Sequence, residues 1–508
     1  MSLEDLRAER IKKLEALREA GVEPYPIASN QSAEITGVTE GFEEFVESGE
    51  EIILAGRIMA KRGHGGAVFA DLNDGSFAEG DSLADTPEDE KGRRGTIQIL
   101  FKKDVLGEES HVGFEELVDV GDFIECTGRL FRTERGEKTL EVSSWRMLAK
   151  SLRPLPDKWH GLVDPDERFR RRYLDSLMDV AVKKRFITRS RMITAVREFL
   201  DDAGYLEVDT PVLQPVYGGA SAKPFTTRHN ALDMELFLRI APELYLKKML
   251  VGGFPKVYEV VRNFRNEGID ATHNPEFTNV EFYAAYTDAP KQRKFVEALI
   301  RHVVKKVLRG DTVLYDENEI NVGADFAVIP YLELFTRFAN VQTPEKLSLE
   351  EWREVAERLK VEYAPEDGID KVMDQIYKKT ARLQLIQPTF IVDYPATYLP
   401  LAKRFPDRYQ LVDAFQLVMG GVELVKAFSE LNDPIDQAER FAEQDKIIAA
   451  GDAEGQPSDE DFVEALEYGM PPAGGVGIGL DRLSMILTDT KNIKEVIYFP
   501  TMRPKETK

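Results

Sequence analysis

Three kinds of hydrophobic patterning follow one another along the chain. Residues 2–20 carry apolar positions at Leu3, Leu6, Ile11, Leu14 and Leu17, the spacing of one helix face, and Gly21 and Pro24 stop that helix. From about residue 50 to 150 the period shortens to alternation. The runs IILAGRIMAKRG, GAVFADLNDG, GTIQILFKKD, GDFIECTGRLFRT and KTLEVSSWRML read as five strands parted by Gly and Asp turns. Between the second and third lies SFAEGDSLADTPEDEKGRRG, polar and acidic, which reads as an exposed, mobile loop. A proline-marked linker, RPLPDKWHGLVDPDERFRRRYLD, follows. Beyond it helices and strands mix to the end, with a helical insertion near 340–385.

Five short strands of this spacing predict a small closed barrel of the OB type. The expected organisation is a helical extension over 1–48, the barrel over 49–150, a linker over 151–180 and one large α+β domain over 181–508. There is no internal repeat or low-complexity tract.

Within the large domain, KVYEVVRNFRNE and PEFTNVEFYAAY predict an antiparallel hairpin with a polar loop from Gly268 to Asn274. Alternation puts Asn263, Arg265 and Glu267 on one face of the first strand. On the second, Phe277, Asn279, Glu281 and Tyr283 share a face, and Val280, Phe282 and Ala284 take the other. A solvated outer face gives the same alternation. An arginine, a histidine and an aromatic around one turn suit instead a ligand with a phosphate and a flat ring. Far downstream, PPAGGVGIGLDRLSMIL predicts a glycine-rich strand entering a helix, with Arg482 in its first turn; glycines admit close backbone approach and a helix start favours anions. A third segment, LDDAGYLEVDTPVLQP, predicts a helix ending at Gly204 and a strand stopped by Pro211.

Composition narrows the classes. The net charge of −23 argues against loose nucleic-acid affinity, though not against a local basic patch. No apolar run reaches the ~18 residues of a membrane span, and a start charged from its fourth residue is no signal peptide. A single cysteine, Cys126, cannot form an intrachain disulfide; it suits a reducing cytoplasm and a core position. Six scattered histidines offer no Cys/His cluster for zinc.

Helix–Gly–strand–Pro, then the Arg-x-Glu hairpin, then Gly-x-Gly-x-x-Arg resembles the three motifs of the class II aminoacyl-tRNA synthetases. RPLPDKWHGL, RNFRNEGIDATHNPEFT, FSELNDPIDQAERF and EALEYGMPPAGGVGIGLDR are similar to the lysyl-tRNA synthetase family over nearly the whole chain. The resemblance implies an antiparallel catalytic sheet flanked by helices, and a cytoplasmic homodimer joined through the motif ending at Pro211. It implies ligation of L-lysine to tRNA(Lys) through a lysyl-adenylate, with release of AMP and pyrophosphate.

By the same resemblance ATP lies on the hairpin. Arg265 meets the α-phosphate, Glu267 the adenine amino group and His273 the terminal phosphates. Phe277 stacks on the adenine, and Arg482 covers the other side of the ring and the γ-phosphate. Magnesium is held through Glu423 and position 416, where relatives usually carry Glu and this chain has Gln416. Gly219 and Glu243 receive the α-amino group of lysine, Glu281, Tyr283 and Glu430 its ε-amine, and Phe428 its aliphatic stem. Lys426 stands where relatives usually place an Asn at the substrate carboxylate. It either replaces a neutral donor with a cationic one or reaches Glu430 and changes specificity. Arg57, Phe69 and Gln98 match positions that read the anticodon, and Phe69 equally suits the barrel core. Two alternatives stay open: a paralogue activating another amino acid or acceptor, against which the intact barrel counts, and a non-catalytic RNA-binding protein, against which the intact ATP residues count.

Overall fold

The computed structural model describes residues 2–64, 66–77, 95–156, 162–365, 367–449 and 455–505. The acidic run between the second and third strands lies, but for its ends, outside the described residues. The chain divides into two compact units, Met1–Ala181 and Val182–Lys508.

The first unit is built on β1 (Ile52–His64), β2 (Ala67–Asn73), β3 (Thr96–Lys102), β4 (Phe123–Arg132) and β5 (Lys138–Ala149), closed in the order β1-β2-β3-β5-β4. Only the β3–β5 pair is parallel. Closure removes the exposed edges that an open five-stranded sheet would leave. Val68, Ala70 and Leu72 point inward with Ile97, Ile99 and Cys126, all nearly inaccessible. Burial pushes the Cys126 thiol far above its ordinary pKa, so it packs as a hydrophobe. The first helix, Leu3–Glu19, is capped by Ser2 and Asp5. It buries Leu14 and Leu17, while Leu3 stays half exposed, so only the later part of the predicted face is used. Two short helices that the patterning did not show, Ile35–Glu40 and Phe42–Ser48, add Ile35, Val38 and Phe42 to the same core.

The second unit carries β6 (Leu206–Glu207), β7 (Leu213–Gln214), β8 (Phe225–His229), β9 (Met234–Leu238), β10 (Lys256–Phe264), β11 (Glu276–Ala285) and β12 (Thr312–Tyr315). It continues with β13 (Asn318–Asn321), β14 (Ala327–Pro330), β15 (Thr389–Pro395), β16 (Leu411–Met419), β17 (Val422–Ser429) and β18 (Ala473–Gly479). An eight-stranded sheet in the order β14-β15-β16-β17-β18-β11-β10-β6 forms its centre, antiparallel except at its two edges. The strand expected to run to Pro211 is only Leu206–Glu207, beside β10; Gly204, at φ +77, turns the chain out of the preceding helix.

One face of the sheet is apolar. Val280, Phe282, Val476 and Ile478 pack there under the helices Val180–Asp202, Ala289–Leu308 and Leu480–Leu487. A second core around Trp352, Tyr331 and Phe335 seats the inserted helices Leu349–Arg358 and Ile369–Lys379. The other face carries the polar chemistry. Register places Gln416, Lys426, Gly477, Glu281 and Glu259 in one row across β16, β17, β18, β11 and β10.

Candidate active site

A cleft of about 330 Å³ opens over the middle of that row, at Lys426, Gly477 and Glu281. At one end the hairpin β10–β11 stays in register from Lys256–Ala284 to Phe264–Glu276 and then stops. The connection runs from Arg265 to Pro275, longer than the expected Gly268–Asn274. The Asn266 N–H is drawn off the ladder to the Lys223 carbonyl at 2.8 Å. Arg265 therefore begins the loop, with its guanidinium 5.0 Å from the Phe277 ring centre. Its Nε is buried and has no hydrogen-bond partner among the described residues. Burial works against the Arg265 charge while Glu267 and Glu281 support it. A desolvated guanidinium with no protein acceptor is costly alone and suits an anion.

His273 lies on the loop between two partners. Its Nδ1 is 2.8 Å from an Asp270 oxygen and its Nε2 3.1 Å from Arg482 Nη2. A guanidinium only donates, so Nε2 accepts and Nδ1 carries the proton toward Asp270. Arg482 stands in the first turn of the helix that follows β18 and also donates to the Glu423 carbonyl at 3.1 Å. Its neighbour Asp481 is buried, accepts the Thr278 N–H at 2.8 Å and pairs with Arg189. This link ties β11 to the start of that helix. The pattern reading passed over both residues, although an aspartate inside so apolar a helix was a signal.

At the other end of the cleft Glu243 opens the helix Glu243–Val251. One turn later Lys247 is fully buried, with Nζ 2.7 Å from Glu243 and 2.5 Å from Glu430. Burial works to lower the Lys247 pKa; the two carboxylates outweigh it and hold the pKa above the usual lysine value. The Phe428 ring centre lies 5.4 Å from the same ammonium. Tyr283 donates to Glu281 at 3.3 Å. Burial first, then the Glu243 charge, push the Glu281 carboxyl up to about 8.

Glu430, expected to reach the substrate amine, stands behind the cleft wall with Lys247 on one oxygen; its Oε1 has no hydrogen-bond partner among the described residues. Gly475 makes this possible, because a Cβ there would meet that Oε1 at 2.0 Å and the Tyr283 ring at 2.3 Å. Gly219 is constrained likewise: its φ is +84, and a Cβ would lie 2.8 Å from that of Glu243. The i,i+4 pair Glu243–Lys247 was visible in the sequence, but not the Glu430 it meets from so far along the chain.

The β16–β17 wall departs from simple alternation. Glu423 and Lys426 are three apart and would face opposite ways on a regular strand. A bulge, where Leu417 pairs with Val425 but Val418 with Glu423, turns both into the cleft. Lys426 opens to solvent through the cleft but is hemmed in by protein. That crowding lowers its pKa, and Glu423 is the carboxylate that most opposes the shift. Lys247, not Lys426, is the cation at Glu430.

Gln416, expected beside Glu423 at a metal, is outside the cleft lining, and its Oε1 accepts from Tyr394 at 2.8 Å. Among the described residues no group of three or more His, Cys, Asp or Glu is placed to hold a metal ion. A protein-built magnesium site from Glu423 and Gln416 does not fit this wall.

In the first unit Arg57, Phe69 and Gln98 lie on the outward side of β1, β2 and β3. Phe69 alternates with buried Val68 and Ala70, so it is not a core residue. Arg57 lies 4.2 Å over the Phe123 ring, and Gln98 accepts from Thr139 at 3.0 Å.

Residues 164–503 match the family described as tRNA synthetases class II (D, K and N). Two relatives named lysine–tRNA ligase, from Moorella thermoacetica and Carboxydothermus hydrogenoformans, are each 46% identical over 99% of this chain, covering 98% and 99% of their own lengths. A third of that name, from a Roseiflexus species, is 44% identical over the full length of both chains. The phosphate-ready arginines, the barrel and this likeness along both units agree: the chain belongs to the class II aminoacyl-tRNA synthetases, in the lysine–tRNA ligase family.

Proposed function

We propose that the chain ligates L-lysine to tRNA(Lys) in two steps. The lysine carboxylate attacks the α-phosphorus of ATP, the bond to the β-phosphate breaks, and pyrophosphate leaves. The terminal hydroxyl of the tRNA then attacks the lysyl carbonyl of the adenylate and AMP departs. No protein nucleophile is needed; positioning and fixed charge supply the rate.

The observation that carries this reading is the polarity of one cleft. One end presents Arg265 without a protein acceptor, beside Arg482. The other presents Glu281, a carboxylate placed for an ammonium, with the unpartnered oxygen of Glu430 behind the wall at Gly475. In this reading Arg265 takes the charge developing at the α-phosphate, and His273 and Arg482 the terminal phosphates. Phe277 is the face for adenine and Glu267 accepts from its amino group. Glu243, beside Gly219, receives the α-amino group, Glu281 and Tyr283 the ε-amine, and Phe428 the stem, with Glu430 acting from behind. Lys426 faces the same cleft. Class II enzymes of this family use ATP with a divalent metal; here that metal is Mg2+ arriving with the nucleotide, and Glu423 is the carboxylate facing it.

Arg57, Phe69 and Gln98 supply stacking and hydrogen bonds to anticodon bases. Leu206, Val212 and Leu213, on either side of Pro211, are apolar yet 49%, 40% and 46% exposed, which supports a homodimer through the segment around Pro211. No helix among the described residues is long and apolar enough to cross a membrane, and the single buried cysteine suits the cytoplasm.

The test is ATP–pyrophosphate exchange with each standard amino acid in turn, followed by charging of tRNA(Lys). Exchange with lysine alone is expected. Exchange driven by another amino acid, or none in a protein that binds tRNA, would overturn the reading.

A further inference from the structure

The β16–β17 wall holds two charged side chains that no other side chain among the described residues pairs with. Lys426 makes no hydrogen bond or ion pair among the described residues, and neither does the Glu423 carboxylate. Both are turned into the cleft by the same bulge. The neighbours of Lys426 across the sheet cannot occupy it: Gly477 has no side chain, and Gln416 commits its amide oxygen to Tyr394. The ammonium is therefore a cation held on the wall opposite Arg265, beside a lone carboxylate, in a cleft suited to a triphosphate.

Charge counting shows what such an ammonium replaces. Changing Gln416 to Glu and Lys426 to Asn would add one negative charge and remove one positive charge, a local change equal to the charge of one divalent ion. The wall as it stands has the cation and lacks the carboxylate pair that would hold a metal.

We propose that the Lys426 ammonium takes the place of a wall-bound divalent ion, countering the charge of both nucleotide phosphate and the Glu423 carboxylate, so that the only metal this enzyme needs is the one that arrives with ATP. The inference rests on the reading of the cleft as an ATP site. It assigns Lys426 to the nucleotide rather than to the lysine carboxylate, and explains why Gln416 faces a tyrosine instead of the cleft. A tethered ammonium carries half the charge of a divalent ion, sheds its water more readily than Mg2+ and is never lost to a chelator.

The test counts Mn2+ by electron paramagnetic resonance on the full-length protein saturated with a non-hydrolysable ATP analogue. The free Mg2+ dependence of lysine-driven pyrophosphate exchange is measured in parallel. Wild type is expected to bind one Mn2+ per nucleotide site, with exchange saturating once all ATP is Mg·ATP. The Q416E/K426N double variant is expected to bind at least one more ion and to need free Mg2+ in excess of ATP. K426M keeps the stem and removes the charge, and should by itself raise the free Mg2+ required severalfold; it serves if the double variant fails to fold. Equal Mn2+ counts in wild type and double variant would overturn the proposal, as would a K426M protein whose KM for lysine rises while its Mg2+ dependence stays that of wild type. If no amino acid supports exchange, the proposed function fails, but the Mn2+ count still decides this point.

Discussion

Lowering the pH from 8 to 6.5 should weaken lysine binding through Glu281. In the empty cleft burial and Glu243 raise this carboxyl from 4.5 to about 8. That shift means ionising it costs the unliganded protein about 5 kcal/mol more than in water, an order-of-magnitude figure. The sign is opposite to that of an ordinary salt-bridged carboxylate. With its folded value raised, Glu281 contributes stability below about pH 4.5 that is lost as pH climbs through about 8. An arriving lysine ammonium needs the ionised form, so binding expels a proton. About a tenth of empty sites are ionised at pH 7, and below that each pH unit costs about 1.4 kcal/mol, or tenfold in affinity. At pH 7 and below lysine's own amines are almost wholly charged and add little slope. Calorimetric titration with lysine, repeated in buffers of different ionisation enthalpy, reads the proton directly. The expected release is about 0.9 proton per lysine at pH 7, approaching one at about pH 6. Glu281→Gln should abolish the release and weaken binding. A lysine affinity flat from pH 6.5 to 8, with no buffer dependence of the enthalpy, would refute the argument.

Three further outcomes follow from the geometry. Gly475→Ala would drive a methyl into Glu430 and Tyr283, and KM for lysine should rise at least tenfold, about 1.4 kcal/mol, with ATP affinity within about twofold of wild type; an unchanged KM would remove Glu430 from recognition. Lys247→Met would leave Glu243 and Glu430 buried without their counter-ion, and denaturant unfolding should register a loss of about 3–5 kcal/mol; no loss would mean the carboxylates take up protons at little cost. Arg265→Lys keeps a charge but loses the planar fork and the stack on Phe277, so the exchange rate should fall about 10²–10³-fold while lysine binding measured without ATP is unaffected.

Local pattern carried much of the fold and part of the site. The five barrel strands were legible because alternation and glycine turns are local signals, and the closure order follows from pairing them. Phe69 was decidable too, since Asp71 and Asn73 share its side of β2 while Val68, Ala70 and Leu72 take the other. The hairpin was legible as a pair of strands but not in its extent, because Asn266 leaves the ladder for Lys223, more than forty positions earlier. The amino-acid end was least legible. Glu430 and Lys247 meet only after the helix Glu243–Val251 docks beside β17, and no local periodicity reports a contact at that separation. Gln416 was misleading for a related reason: its amide faces Tyr394 on the neighbouring strand, a partner visible only once the sheet is assembled.

The bulge in β17 also governs how this wall tolerates change in chain length. Deleting Leu424 would leave a strand that still alternates and still pairs with β16 and β18. It would leave Glu423 two positions before Lys426, on the same face by plain alternation, so both charges would stay in the cleft while the core loses the Leu424 side chain. A single lost codon at the bulge would thus cost core packing but spare the cleft, whereas the same loss at Ala427, where pairing is regular, would turn Phe428 to the face opposite Lys426.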